Sequence, residues 1–197
     1  MSETFPRQQA ATGRFNFGTP RSFQITKDGA CVTFLRSDHG RDSVNSVWVY
    51  SLADNTEHKI FDSHLVQLDS TEIPEEELAR RERMRESGGG VTAYSSDESG
   101  KMLAFAFAGE LVTINIESGT HNVLEVTKPI IDPQISPDGL HLAWSTGKEL
   151  RTCAIDGQDE RALVVSDDKD ITWGLADFIG SEEFDRMHGY WLSLIHI

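Results

Sequence analysis

The chain has 197 residues, of which 38% are hydrophobic and 25% charged, and a formal net charge of −14. That composition is too apolar for a disordered chain and fits about one domain, or one large all-β domain. The acidic balance argues against nucleic acid and anionic lipid as partners, because a negative surface repels both.

The opening stretch Met1-Ser-Glu-Thr-Phe-Pro-Arg7 has no apolar core, so a signal peptide is not expected and residues 1–12 read as a tail. The longest apolar run, Met102 to Ala108, falls far short of the roughly 20 residues of a spanning helix. No membrane span and a cytoplasmic location are therefore expected. Cys31 and Cys153 stand in no CxxC spacing and read as small buried thiols, with no cofactor or metal implied.

The first repeating unit spans residues 13–62. Alternating segments Ser22–Ile25 and Ala30–Leu35 flank a turn closed by Gly29. Strands over Val47–Tyr50 and His58–Phe61 follow, joined by the polar turn Ala53-Asp-Asn-Thr56. Residues 63–90 interrupt the pattern. There Pro74-Glu-Glu-Glu-Leu-Ala-Arg-Arg-Glu-Arg-Met-Arg-Glu-Ser87 predicts a helix. Proline suits its first position, three acids face the positive end of its dipole, and Glu76/Arg80 and Glu77/Arg81 stand at i,i+4. Its few apolar residues predict a solvated arm, stopped by Ser87-Gly-Gly-Gly90.

The second unit, 91–128, has its turn at Gly100, and the third, 129–168, at Gly139. In each, a glycine supplies the positive φ that the tight turn demands. Gly100 and Gly139 are 39 residues apart, close to the roughly 40–45 of a four-stranded propeller blade. The predicted fold is thus all-β, a partial β-propeller of three to four four-stranded blades with one inserted helical arm. A β-sandwich of similar strands explains the four-strand period less well. A propeller closes with about four to eight blades, so the chain reads as part of something longer. The aromatics Trp48, Phe105, Phe107 and Trp144 read as blade core.

Residues 169–191 break the repeat and carry the pair Glu182-Glu183. With 32 acidic residues in the chain, neighbouring acids arise by chance, as in Glu75-Glu76-Glu77, so context decides. Trp173, Gly174, Asp177, Phe178, Glu182, Glu183, Tyr190 and Trp191 occur in the order Trp-Gly-x-x-acid-aromatic-x-x-x-Glu-Glu, then an aromatic and Trp. This string resembles the glutamate-pair segment of dipeptidyl peptidase IV-type serine peptidases. The stretch Arg36–Trp48 and the arginine-rich arm Glu77–Glu86 resemble bacterial members.

The resemblance implies an eight-bladed propeller joined to a C-terminal α/β-hydrolase domain, often as a homodimer. It implies release of dipeptides with proline or alanine in second place from peptides with a free N-terminus. Glu182 and Glu183 would hold the substrate's α-ammonium group. The resemblance does not place the family's carbonyl-binding arginine in this sequence. Nor does the chain contain the G-x-S-x-G of a hydrolase nucleophile. Its seven histidines (39, 58, 64, 121, 141, 188 and 196) show no catalytic spacing and read as surface or strand residues. No Gly-Lys-Ser/Thr follows Ser87-Gly-Gly-Gly90, so it is not a phosphate loop.

Where such a segment would continue Trp-Ser-Pro-Asp-Gly, this chain reads Leu192-Ser-Leu-Ile-His-Ile197. One frame of a common transposase sequencing adapter encodes that hexapeptide, so residues 192–197 are expected to be non-native. Two other readings stand beside the exopeptidase: a non-catalytic propeller that binds partners, like TolB-type repeats, and the propeller of a prolyl oligopeptidase-like endopeptidase.

Overall fold

The computed structural model describes residues 4–66, 73–84, 86, 88–168 and 170–193. The end of the expected adapter tail, with His196, lies outside the described residues, as do residues 85 and 87 of the predicted arm. The chain forms two compact units, one of residues up to 68 with 87–93, the other of 69–86 with 94–197.

The first unit opens with a short helix, α1 (Phe5–Ala11), which the sequence pattern did not predict. Four antiparallel strands follow: β1 (Arg21–Ile25), β2 (Cys31–Arg36), β3 (Val44–Ser51) and β4 (Thr56–Phe61), paired in chain order. A two-residue strand, β5 (Gly89–Gly90), pairs parallel to β3. Gly90 is required there: at φ 70°, a Cβ would stand 2.3 Å from the Asn45 carbonyl oxygen.

The second unit holds the helix α2 (Glu75–Arg83) and two further four-stranded sheets. One is β6 (Ser95–Ser96), β7 (Met102–Phe107), β8 (Glu110–Asn115) and β9 (Thr120–Leu124). The other is β10 (Ile131–Ile135), β11 (His141–Ser145), β12 (Glu149–Ala154) and β13 (Arg161–Val165). Each sheet runs up and down in chain order, which is the blade pattern of a β-propeller. The fold class is all-β, a partial β-propeller, as the repeat period implies.

One turn recurs in all three blades. In the first, the Thr26 hydroxyl donates to Asp28 Oδ1 at 2.7 Å and Gly29 N–H donates to the Thr26 carbonyl. In the third, Ser136 and Asp138 repeat the bond at 2.5 Å and Gly139 closes the turn. In the second the partners are exchanged: the Ser99 hydroxyl donates to Asp97 Oδ2. Short polar side chains thus satisfy the turn's own backbone, and Gly29, Gly100 and Gly139 all take φ between 70° and 75°.

The core of the second unit lies between its two sheets, where Ala104 and Leu111 of one meet Ile135, Leu142 and Trp144 of the other. Trp144 is fully buried, and its indole N–H donates to the Thr127 carbonyl at 3.0 Å. Phe105 and Phe107 are buried as expected. Trp48 differs: it is half-buried, stacked beneath the Arg36 guanidinium 4.1 Å from its ring, while Arg36 pairs with Glu57. Replacing Trp144 with alanine removes the largest buried side chain and strands a carbonyl. The expected loss is about 3–5 kcal/mol, or about 10 °C in Tm, measured by thermal unfolding followed by circular dichroism.

Candidate functional site

The predicted site residues sit on α3 (Phe178–Phe184). Asp177 caps this helix: its Oδ1 accepts the Gly180 N–H at 2.7 Å. Asp185 ends it in the left-handed region at φ 53°, and the next N–H, of Arg186, returns to the Gly180 carbonyl. Glu182 and Glu183 are both exposed on this helix. Among the described residues, neither carboxylate has an ion-pair partner. No basic residue occupies the last turn, so the helix dipole adds to the negative potential around the pair.

The segment that carries α3 leaves and rejoins the third blade at one neck. Trp173 N–H donates to the Gly147 carbonyl at 2.9 Å, and the Ser145 hydroxyl donates to the Trp173 carbonyl at 2.5 Å. On the return, Gly189 packs directly on the outgoing strand: a Cβ there would stand 2.4 Å from the Gly174 carbonyl carbon. Tyr190 follows, buried, with its hydroxyl donating towards the carbonyls of Asp132 (2.6 Å) and Ala143 (2.7 Å). Burial, and then the nearby Asp132 charge, push its phenol well above the ordinary tyrosine range.

Beside the neck lies a charged cluster that sequence spacing did not reveal. β10 pairs with β11 through a bulge between Ile131 and Gln134, where Asp132 takes φ 50°. The bulge re-aims the Asp132 side chain, whose carboxylate is 5% exposed. His188 Nδ1 approaches its two oxygens at 2.8 and 3.0 Å. The Gln134 side-chain amide donates to Oδ1 at 3.0 Å. Arg80 of α2 stands 3.9 Å away.

The arm is therefore not wholly solvated, contrary to what its composition implied. Glu77 and Arg80 are buried, and Arg80 donates to both Glu77 oxygens, at 2.7 and 3.2 Å. Arg81 joins Glu77 at 2.8 Å, as its i,i+4 spacing implied, whereas Arg80 pairs at i,i+3. Burial acts to lower the Arg80 guanidinium, but Glu77 and then Asp132 outweigh it and hold it above its usual range. His188 is raised by its hydrogen bond to Asp132, against an opposing effect of burial. Nor is His188 a bland surface residue. The available signal was an acid, Asp132, between Ile131 and Pro133 in a strand otherwise built for burial.

Among known proteins, a model of the dipeptidyl peptidase IV (DPP IV) N-terminal region matches residues 92–194, more than half of the chain. The chain belongs to this family. The match takes in both blades of the second unit, the neck, α3 and the Asp132–His188 pair. Among solved structures, the chain is similar to the tricorn protease, with a TM-score of 0.50 and 16% identity, over 75% of this chain and 13% of that one. It is also similar to the putative TolB from Agrobacterium tumefaciens, with a TM-score of 0.49 and 14% identity, over 76% of this chain and 49% of that one. At that identity the tricorn likeness shows the fold alone, and this DPP IV-family chain spans only a small part of that protein's length.

The neck makes a direct test possible. Gly189→Ala sets a Cβ against backbone that cannot move aside, so the segment is expected to detach from the blade at a cost of about 1–3 kcal/mol. Limited proteolysis between residues 175 and 188 should accelerate in that variant, while far-UV circular dichroism stays that of the folded blades.

Proposed function

We propose that this chain is the N-terminal propeller portion of a serine exopeptidase that releases Xaa-Pro and Xaa-Ala dipeptides from peptides with a free N-terminus. Glu182 and Glu183 hold the substrate's α-ammonium group in this reading. The observation that carries it is the presentation of two adjacent, exposed, unpartnered carboxylates on α3, within the family-matched segment.

The chemistry follows from those two groups. An α-ammonium is mostly protonated near neutral pH, and two carboxylates give it charge-assisted hydrogen bonds. Adjacent carboxylates repel each other until a cation sits between them, which favours a charged amine over a blocked one. Holding the amine at a fixed distance from the nucleophile makes the enzyme count residues from the N-terminus. The serine, histidine and orienting acid come, on this reading, from an α/β-hydrolase domain C-terminal to this segment.

The test begins with the source gene, sequenced past the Trp191 codon and expressed in full. A downstream G-x-S-x-G domain and cleavage of Gly-Pro-p-nitroanilide but not of its N-acetyl form are expected. Glu182→Ala and Glu183→Ala should each lower kcat/KM by roughly 10²–10³-fold, the loss usual for one partner of a desolvated charge pair. Cleavage of free and acetylated substrate at equal rates would replace this reading with an endopeptidase. A gene with further blades and no hydrolase domain would replace it with a binding module.

A further inference from the structure

The Glu182–Glu183 helix has a charged attachment to the blade. Three residues, Asp185 to Met187, separate α3 from His188, and His188 reaches back to the Asp132 carboxylate in β10. The other tie on the return path, Tyr190, bonds to backbone carbonyls and is neutral. The His188–Asp132 pair is therefore the one contact described at this neck whose strength depends on protonation. We propose that it is an ionic latch that positions the Glu182–Glu183 helix, so that amine anchoring depends on the charge of His188. The proposal rests on the reading of Glu182 and Glu183 as the amine anchor and names the group that regulates it.

The electrostatics around the pair favour this role. Asp132 is almost fully buried and needs a cationic partner. Two face it: His188 at 2.8 Å and Arg80 at 3.9 Å. Arg80 is already committed to Glu77 through two hydrogen bonds, and it opposes a charge on His188. Gln134 is neutral and Tyr190 keeps its proton. When His188 loses its proton, Asp132 keeps only the more distant Arg80 and at most a neutral hydrogen bond from the imidazole. His188 is 43% exposed on its side chain, so protons reach it from solvent.

The sign follows from the direction of the shift. His188 is raised above the ordinary imidazole value, so its contribution is complete below about pH 6.5 and is lost as pH rises through the elevated value. Positioning of α3 should weaken in the same direction. The substrate amine also loses its proton at alkaline pH. The variant His188→Lys separates the two effects, because lysine keeps its charge across that range while the substrate is unchanged.

The experiment uses the full-length protein and two readouts. Hydrogen exchange of the amides of residues 178–187, corrected for intrinsic rates, is followed by mass spectrometry from about pH 6 to about pH 9. Wild type should lose about tenfold of its protection across that range. His188→Gln should show the low value throughout, and His188→Lys the high value. In parallel, His188→Gln should raise KM for a free-amine dipeptidyl substrate about tenfold at pH 6 with kcat within about twofold, and His188→Lys should restore it. Exchange of 178–187 that ignores pH and is the same in all three proteins overturns the latch, whatever the activity. Pronounced exchange changes without any preference for free over blocked amines uphold the latch and overturn the amine-anchor reading instead. Asp132→Asn, should it fold, repeats the His188→Gln result, and the exposed His188 variants carry the test without it.

Discussion

A carboxylate that leaves water must find partners, and Asp132 is where this molecule meets that demand. Its side chain is buried at a bulge in β10, next to the point where the α3 segment departs and returns. An unpaired charge there would cost several kcal/mol. The partners come from three places in the chain: Arg80 on the arm, Gln134 two residues along the strand, and His188 after α3. The same residue's carbonyl takes the Tyr190 hydroxyl. One buried acid thus ties the inserted helix and the glutamate-bearing segment to a single strand of the third blade.

The blade supplies the rigidity this arrangement needs. Its strands are held by a repeated local turn, by a β11–β12 ladder in continuous register, and by a core in which Trp144 fills the space between two sheets. A bulge in such a frame fixes where the Asp132 side chain points. The first blade shows a matching irregularity, with a shift between Arg21 and Gln24 and Ser22 at φ 54°. The bulge therefore recurs in the first and third blades, and what differs is the residue placed on it: a serine in the first, an acid in the third.

This explains what was legible in the sequence. Period-two alternation and the Gly29, Gly100 and Gly139 turns depend on near neighbours, so the blades could be read directly. The glutamate pair could be located for the same reason, since Trp173, Gly174 and Tyr190 form a local string around it. The Asp132–His188 pair could not, because its members are 56 residues apart and neither belongs to a spacing motif. The arm departs from what its average composition implies. Its composition is that of a solvated helix, yet two of its charged residues neutralise each other and can be buried as a pair, which a count of apolar residues cannot register.

The division of labour between core and tip has a physical logic. Two adjacent carboxylates with no cation cannot be buried at tolerable cost, so a pair meant for an incoming ammonium has to be held where water can solvate it until the ligand arrives. An exposed helix of seven residues, however, is too short to hold its own position. The neck resolves that conflict. Gly174 and Gly189 bring the two ends of the segment into backbone contact, Tyr190 anchors the return strand in the core, and His188 ties it to the buried Asp132. The groups that fix the geometry are paired, with Asp132 and Tyr190 buried and His188 half-buried, while those proposed to meet the ligand stay exposed and unpaired. The imidazole is the member of the His188–Asp132 link that solvent protons can reach, which places control of the exposed pair in the link between the two.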